Sequence, residues 1–239
     1  MSPPDPEGAD APFPPVDPAR ADQFVRAATR LERTPLVPEL RLFLASEVMP
    51  LWRMTEEDLA ARGLPPPFWA FAWAGGQALA RHVLDHPDLV AGRHVLDFAS
   101  GCGIGAIAAM KAGAASVLAV DIDPFAVAAI EVNAAANGVT VEALTVDLVG
   151  GPVPDRSVVL AGDICYEQPL ADRVEAWLRM LAQEGALVLI GDPGRTHLPQ
   201  SGLMERAVYR VETTRELEDS AVRRTGVWQV QTAVSPDQV

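Results

Sequence analysis

An acidic residue followed by alternate glycines marks the first candidate site of this sequence. The stretch HVLDFASGCGIGAIAAM places Asp97 at the end of an apolar run and Gly101, Gly103 and Gly105 in the turn that follows. Glycines between a strand and a helix can adopt positive φ and let the backbone approach a ligand closely. The stretch therefore predicts a loop that binds a ligand at the end of a strand, with a tight turn that binds nothing as the alternative.

Two classes of ligand suit this loop. GCGIGA matches the nicotinamide fingerprint G-x-G-x-x-G/A, and Asp121 lies at the spacing of a ribose-binding acid. A phosphate loop is excluded because no Gly-Lys-Ser/Thr follows. Asp97 would repel a pyrophosphate, whereas it would attract an ammonium or a sulfonium. The pattern therefore favours a cationic ligand with a ribose, which describes S-adenosylmethionine, over a dinucleotide.

Strands that alternate with helices have to position these residues. From residue 93 onward the pattern predicts an α/β unit with a parallel sheet and helices on both faces, and such sheets bind ligands beyond the carboxyl ends of their strands. The predicted strands are 93–98, 116–123, 139–147, 156–163 and 185–192, followed by an antiparallel pair at 207–214 and 224–233. The predicted helices are 104–112, 124–138 and 168–183.

The residues before this unit read as a separate extension. Helical spacing predicts a helix over 18–33, and alternation predicts a strand within 39–46. A short helix should begin after Thr55 and end before Gly63. An aromatic loop at 64–76 precedes a helix over 76–88. We therefore divide the chain into a disordered tail (1–17), an extension that contributes to the acceptor site (18–92) and a ligand-binding core (93–239).

Composition limits the classes of partner. The 239-residue chain has a formal net charge of −13, which argues against a nucleic-acid surface but suits a basic protein segment. No apolar run reaches the ~20 residues of a membrane span, and the start resembles neither a secretory signal nor a mitochondrial presequence. The cysteines and histidines lack the spacing of a disulfide framework or a metal site. We expect a monomeric, cytoplasmic, bacterial protein without metal.

Several motifs together resemble a known family. VLDFASGCG resembles the first motif of class I, seven-β-strand methyltransferases, acid-x-Gly-x-Gly-x-Gly. Ala99 replaces the first glycine, a departure that we expect to be mild because alanine adopts most conformations other than the left-handed one. With WAGGQAL, DIDPFAVAAIEVNA, DICYE, GDPGR and GVWQV in order, residues 36–232 are similar to the lysine methyltransferases of the electron transfer flavoprotein β-subunit.

The resemblance implies a fold, a cofactor and a partner. The fold is a Rossmann-like, doubly wound, seven-stranded sheet, mostly parallel with an antiparallel C-terminal strand, plus a small N-terminal extension. The cofactor is S-adenosylmethionine, with S-adenosylhomocysteine as its product. The acceptor is a protein lysine, in the electron transfer flavoprotein β-subunit.

The same resemblance assigns the cofactor contacts. Asp97 and the backbone of residues 100–103 (Ser100, Gly101, Cys102 and Gly103) would hold the methionine end. Asp121 would accept both ribose hydroxyls, or else it caps the next helix, as Asp123 could also do.

Three further residues complete the implied cofactor site. Ile122 would pack on the adenine, and Asp147 would lie near the adenine amino group, with an ordinary turn aspartate as the alternative. Trp73 would wall the methionine or the lysine channel, unless Trp73 and Trp69 are core residues. Apart from their place in the loops, both cysteines read as packing residues.

The resemblance places the acceptor in the stretch DICYE, after the fourth strand of the core. A lysine amine attacks a methyl group only when neutral, and its reference pKa is ~10.4. A carboxylate can orient the incoming amine, and an aromatic wall accommodates a methylated, cationic amine. We therefore assign Asp163 to amine orientation, with Tyr166 and Glu167 beside it, and leave open whether Asp163 instead caps the next helix.

Two other points stay open at the level of sequence. GDPGR is either a plain turn, or Asp192 and Arg195 shape the acceptor entrance. The rival functions are a class I methyltransferase that acts on another protein, such as a ribosomal protein, or on a small amine; a nicotinamide oxidoreductase; and a cofactor-binding sensor without activity.

Overall fold

The N-terminal extension consists of short elements. The structure, a computed structural model, describes residues 17–46, 51, 54–153, 155, 157–213 and 221–232, so the predicted tail lies outside the described residues except for residue 17. Helix α1 spans Ala21–Ala28, strands β1 (Arg30–Glu32) and β2 (Leu42–Leu44) pair antiparallel, and helix α2 spans Glu56–Ala60. Thr55 caps α2 as predicted, in a capping box with Asp58.

The predicted helix over 18–33 is wrong in its second half. Helix α1 ends at Ala28 because Thr29 takes an extended conformation (φ −136°, ψ 174°) and its hydroxyl donates to the carbonyl oxygen of Val25. Residues 30–32 then form β1, and Leu31 is exposed rather than packed on a helix face. The apolar spacing continues past residue 28, but the helix ends there, where the Thr29 side chain makes a local hydrogen bond to the backbone.

A seven-stranded sheet forms the core of the protein, in the order β5-β4-β3-β6-β7-β9-β8. Its strands are β3 (His94–Phe98), β4 (Ser116–Asp121), β5 (Glu142–Thr145), β6 (Val158–Gly162), β7 (Leu187–Asp192), β8 (Leu203–Glu212) and β9 (Val222–Val230). The first five run parallel, and β9 lies antiparallel between β7 and β8. The predicted fold is confirmed, and the predicted strand over 139–147 shortens to four residues.

Helices cover both faces of this sheet. They are α3 (Ala74–Asp85), α4 (Ile104–Lys111), α5 (Pro124–Ala136) and α6 (Leu170–Gln183). Within β3, Val95 packs in the cluster of α3 and α4, whereas Leu96 and Phe98 pack in the cluster of α6. This alternation is the period of two that a doubly covered strand requires.

Helix α3 begins two residues earlier than predicted and includes Gly75 and Gly76. A Cβ atom on Gly75 would lie 2.1 Å from the carbonyl oxygen of Gly191, at the end of β7. A Cβ atom on Gly162, at the end of β6, would lie 3.0 Å from the Cα atom of Gly76. The glycines therefore let the first turn of α3 pack directly on the ends of two central strands.

Candidate functional site

Four aspartates lie at the carboxyl ends of neighbouring parallel strands. Asp97 is in β3, Asp121 ends β4, Asp163 directly follows β6, and Asp192 ends β7. Side chains from these strand ends converge at one edge of the sheet, where doubly wound folds bind ligands. The sheet therefore brings together acids that are far apart in the chain.

Asp97 is the buried acid of the glycine loop. Its Oδ2 atom accepts hydrogen bonds from the Ser100 hydroxyl (2.5 Å) and the Ala106 N–H (2.9 Å). Burial raises the pKa of Asp97 to about 7, against the lowering effect of these two hydrogen bonds. A Cβ atom on Gly105 would lie 2.6 Å from Oδ1 of Asp97, so the first turn of α4 needs glycine there for a steric reason.

The loop itself has two departures from its prediction. Ala99 takes φ 51°, the left-handed conformation that we expected alanine to avoid, so its replacement of glycine is a strained feature rather than a mild one. Gly103 lines neither of the two cavities described below. It begins α4 with φ 80°, and a Cβ atom there would lie 3.2 Å from Ile130. Gly103 thus serves helix packing.

Asp121 and Asp123 have different roles, although both were candidates for a helix cap. Oδ2 of Asp121 accepts the N–H of Gly101 (3.0 Å) and Oδ1 accepts the N–H of Asp123 (3.1 Å). Burial raises the pKa of Asp121. Asp123 is the residue that caps α5, because its Oδ1 atom accepts the N–H of Phe125 at 2.8 Å. Asp121 caps no helix, and both aspartates line a cavity.

This cavity has a volume of about 640 Å³, within the range of small-molecule sites. Asp121, Ile122 and Asp147 line it, and Ile122 is 72% exposed although it is a large apolar side chain. Asp147 also makes the turn that was its alternative, since its Oδ1 atom accepts the N–H of Val149 at 2.9 Å. Its Oδ2 atom lies 3.7 Å from Arg173 of α6.

A smaller cavity of about 40 Å³ lies against Asp97, Ser100 and Cys102. It adjoins the larger one, since both are lined by Trp73, Ala99, Gly101, Gly162 and Asp163. A buried acid at one end and an exposed apolar side chain with a strand-end acid at the other suit a cation joined to a nucleoside. The residues therefore fit S-adenosylmethionine. Cys102 is buried, which raises the pKa of its thiol to about 12 and makes it a packing residue.

Asp163 lies where the two cavities meet. Its Oδ2 atom accepts the N–H of Gly76 (2.9 Å), and its Oδ1 atom accepts a hydrogen bond from Nη2 of Arg195 (3.0 Å). Its backbone has φ 56°, and its N–H donates to the carbonyl oxygen of Gly191. Asp163 is not a helix cap, since α6 begins only at Leu170, after Pro169.

Aromatic side chains wall the larger cavity beside Asp163. The Phe68 ring lies 6.0 Å from the Trp73 ring and 5.9 Å from the Tyr166 ring, between centroids. Nε1 of Trp73 donates to the carbonyl oxygen of Phe68 at 2.9 Å. Trp69 is 2% exposed and stacks on Phe125, although it also reaches the cavity. Trp73 and Tyr166 are therefore brought to the site.

Glu167 stands apart from this group. It is exposed and lines neither cavity, and its carbonyl oxygen accepts the N–H of Ala171 in α6. Of the three residues assigned to the acceptor, the structure thus brings together Asp163 and Tyr166.

Sequence reasoning missed the link between Asp163 and the loop after β7. Oδ1 of Asp192 accepts the N–H groups of Gly194 and Arg195 (2.7 and 2.6 Å), which turns the chain so that Arg195 reaches Asp163. GDPGR is therefore both a turn and part of the site. Arg173 of α6 was also missed. Further missed lining residues are apolar or proline, which gives no chemical signal: Pro65, Pro66, Leu170 and Val174.

Two other kinds of site have no candidate in the part of the chain that the structure describes. Over those ranges, no helix is long and apolar enough to cross a membrane. Within the same ranges, no group of three or more His, Cys, Asp or Glu side chains could hold a metal ion.

Comparison with known proteins assigns the family. The chain is 38% identical to the electron transfer flavoprotein beta subunit lysine methyltransferase of Xenopus laevis, over 86% of this chain and 85% of that protein. The chain belongs to this family. The Danio rerio member is 36% identical over 81% of this chain and 76% of its own length. The family assignment confirms the predicted resemblance, the methyltransferase activity and S-adenosylmethionine as the cofactor.

Two further matches concern a related family. Residues 78–192 match the model of ribosomal protein L11 methyltransferase (PrmA). A solved structure of ribosomal protein L11 methylase from Lactobacillus delbrueckii subsp. bulgaricus is 23% identical, covers 66% of this chain and 78% of its own, and has a TM-score of 0.47. The predicted bacterial and cytoplasmic origin, the monomeric state and the absence of a nucleic-acid partner stay predictions.

Proposed function

We propose that this chain is an S-adenosylmethionine-dependent protein-lysine N-methyltransferase whose acceptor is the electron transfer flavoprotein β-subunit. The observation that carries the proposal is the position of Asp163, a carboxylate with a 10% exposed side chain at the junction of the two cavities. The names of relatives at 36–38% identity, which describe lysine methylation of that subunit, support the choice of acceptor.

The cofactor half of the site follows from the residues that line it. Asp97 would attract the amino group of the methionine end, and Asp121 would accept the ribose hydroxyls, beside Ile122 and Asp147 at the adenine end. When bound, S-adenosylmethionine supplies an electrophilic methyl group on a sulfonium. Trp73 lines both cavities and excludes water from the space between them.

The acceptor half consists of Asp163 and the aromatic wall. Asp163 accepts a hydrogen bond from the lysine amine and so orients it. The rings of Trp73, Phe68 and Tyr166 surround the amine, which becomes a methylammonium cation when the methyl group is transferred. Alignment of the amine by this wall supplies most of the acceleration, as expected for a reaction between two bound partners.

The experiment is a methylation assay with purified electron transfer flavoprotein, tritiated S-adenosylmethionine and, in parallel, a cell lysate. One labelled band at the β-subunit is the expected result. Asp163→Ala should retain cofactor affinity by calorimetry and lose turnover. Label on other proteins alone, or wild-type turnover by Asp163→Ala, would contradict the proposal.

A ribosomal protein is the second candidate acceptor. The match of residues 78–192 to the ribosomal protein L11 methyltransferase model favours it, because that range contains Asp97, Asp121 and Asp163. The same range contains Tyr166 but omits Phe68 and Trp73, so two of the three rings of the acceptor wall are outside the match. Purified L11 in the same assay distinguishes the two acceptors.

A further inference from the structure

Arg195 contacts two groups of the proposed acceptor site, the Asp163 carboxylate and the Trp73 ring. Its Nη2 atom lies 3.0 Å from Oδ1 of Asp163, and its guanidinium carbon lies 5.9 Å from the centroid of the Trp73 ring. The Arg195 side chain is 22% exposed and lines the larger cavity. A carboxylate and an aromatic face are also the groups expected around a lysine ammonium, so the protein already places its own cation there.

The charge of Asp163 matters for the reaction because of the lysine proton. A carboxylate within ~4–6 Å of an amine favours the charged ammonium and raises its pKa by ~1–3. An ammonium has no lone pair and cannot attack a methyl group. An isolated carboxylate would therefore bind the acceptor lysine in its unreactive form.

We propose that Arg195 is a positioning residue that neutralises the charge of Asp163, so that Asp163 aligns the acceptor lysine by hydrogen bonding while the lysine gives its proton to bulk solvent. The free amine then forms the new N–C bond as the sulfonium S–C bond breaks. This inference rests on the proposed function, since it requires a lysine acceptor. It assigns Arg195 a role in the protonation of the substrate and not in cofactor binding.

The other charged and titratable groups around Asp163 make the role of Arg195 specific. Asp97, Cys102 and Asp121 line the same two cavities as Asp163, and Asp192 directly follows Gly191, whose carbonyl oxygen accepts the N–H of Asp163. Its own segment adds Cys165, Tyr166 and Glu167, and the first turn of α3 contributes the N–H of Gly76. The neighbouring side chains are thus mostly acids, and Arg173 lies beside Asp147 at the other end of the cavity.

Asp192 keeps Arg195 in this place. It is 1% exposed, and its Oδ1 atom accepts two backbone N–H groups of the turn, including that of Arg195 itself. The backbone of the turn is therefore held by Asp192 and does not depend on the contact between Arg195 and Asp163. This allows substitutions at residue 195 that alter the charge and leave the loop intact.

Two substitutions separate charge from hydrogen bonding. Arg195→Gln keeps an N–H donor and removes the charge, whereas Arg195→Lys keeps the charge. The measurement is the single-turnover rate of methylation of electron transfer flavoprotein across neutral and alkaline pH, with saturating S-adenosylmethionine. Affinity for S-adenosylhomocysteine, by calorimetry, is the control for an intact cofactor site.

For Arg195→Gln we expect the midpoint of the pH–rate profile to move to higher pH, by about one pH unit or more. Each pH unit by which the midpoint rises should lower the rate at neutral pH roughly tenfold, and the rate should recover at alkaline pH. Arg195→Lys should keep the wild-type midpoint, and acceptor affinity should be equal or tighter in the Gln variant, whose site is more negative.

Three results would overturn the inference. One is a loss of rate in Arg195→Gln by the same factor at every pH, which would indicate an orienting role alone. Another is an alkaline midpoint in Arg195→Lys equal to that of the Gln variant. The third is a loss of S-adenosylhomocysteine affinity in both variants. An inactive wild-type enzyme would instead contradict the proposed function, and this becomes evident before any variant is compared.

Discussion

Replacement of Gly75 by alanine tests how closely α3 has to pack on the strand ends. The added Cβ atom would lie 2.1 Å from the carbonyl oxygen of Gly191 and 2.7 Å from Oδ2 of Asp163, whereas ordinary contact begins at 3.4 Å. The first gap is short by 1.3 Å, the difference between 3.4 and 2.1 Å. Because the nearest atom is a backbone oxygen of β7, helix and strand have to separate.

We expect this separation to cost ~3 kcal/mol or more of the free energy of unfolding, at the upper end of measured overpacking. Alanine in a helix offsets ~1 kcal/mol of this. Gly76→Ala is the matched control, since its Cβ atom would lie 3.2 Å from Cγ2 of Ile104, so a side-chain methyl group and not a backbone atom has to shift slightly. That variant should be neutral or slightly stabilised.

The assay is urea unfolding of both variants, followed by circular dichroism. The free energies of unfolding of the two variants should differ by ~2–3 kcal/mol, which corresponds to a difference of roughly 4–12 °C in Tm for a domain of this size. Gly75→Ala should also lose turnover while folded, because Asp163 donates its N–H to the displaced Gly191 carbonyl. Equal stability of the two variants would refute the close packing of α3 on β7.

Three more substitutions test other parts of the site. Asp121→Asn should weaken S-adenosylmethionine affinity by at least about tenfold in calorimetry, as expected for a lost charged acceptor, whereas Asp123→Asn should leave it nearly unchanged. Asn133→Ala should lower the free energy of unfolding in urea by ~1–3 kcal/mol. The buried Asn133 amide accepts the N–H of Phe43 in β2 and donates to the carbonyl oxygen of Cys102 in the glycine loop. Asn137→Ala should lower the free energy of unfolding by less. Asp97→Asn should remove a pH dependence of stability. The folded-state pKa of Asp97, about 7, lies above its ordinary value of 3.8, so the wild type loses stability as pH rises from 3.8 to 7.

Each of these has a result that would contradict it. Equal loss of S-adenosylmethionine affinity in Asp121→Asn and Asp123→Asn would contradict the assignment of Asp121 to the ribose and of Asp123 to the helix cap. Equal destabilisation of the two asparagine variants would mean that burial of Asn133 has no consequence. For Asp97, the measurement is the Tm of ligand-free wild type and of Asp97→Asn between pH 3.8 and about pH 7. Equal changes of Tm with pH in the two proteins would contradict the raised pKa.

The cofactor half of the site was predictable because its signals are local. Asp97, Gly101 and Asp121 each stand at or just after the end of a strand whose apolar run is visible in the sequence, and parallel strands bring such ends to one edge. The same local logic failed for Ala99, where the sequence shows only the residue type. Its left-handed φ follows from the loop as a whole.

The acceptor half was less predictable because it depends on contacts between distant segments. Nothing near Asp163 in the sequence indicates that it meets the N–H of Gly76 and the guanidinium of Arg195, 87 and 32 residues away. The predicted helix over 76–88 also began two residues late and left Gly75 in the preceding loop. The presence of Gly75 and Gly76 inside the helix makes sense only with β6 and β7 in place.

The proposed acceptor site depends on the packing of α3 against the ends of β6 and β7. Phe68 and Trp73 precede α3, Asp163 and Tyr166 follow β6, and Arg195 follows β7, so the proposed acceptor site needs α3 to pack on those two strand ends. Substitutions in the close contact between Gly75 and Gly191 should therefore alter acceptor turnover more than cofactor affinity. Asp97 and Asp121, on β3 and β4, do not depend on that contact.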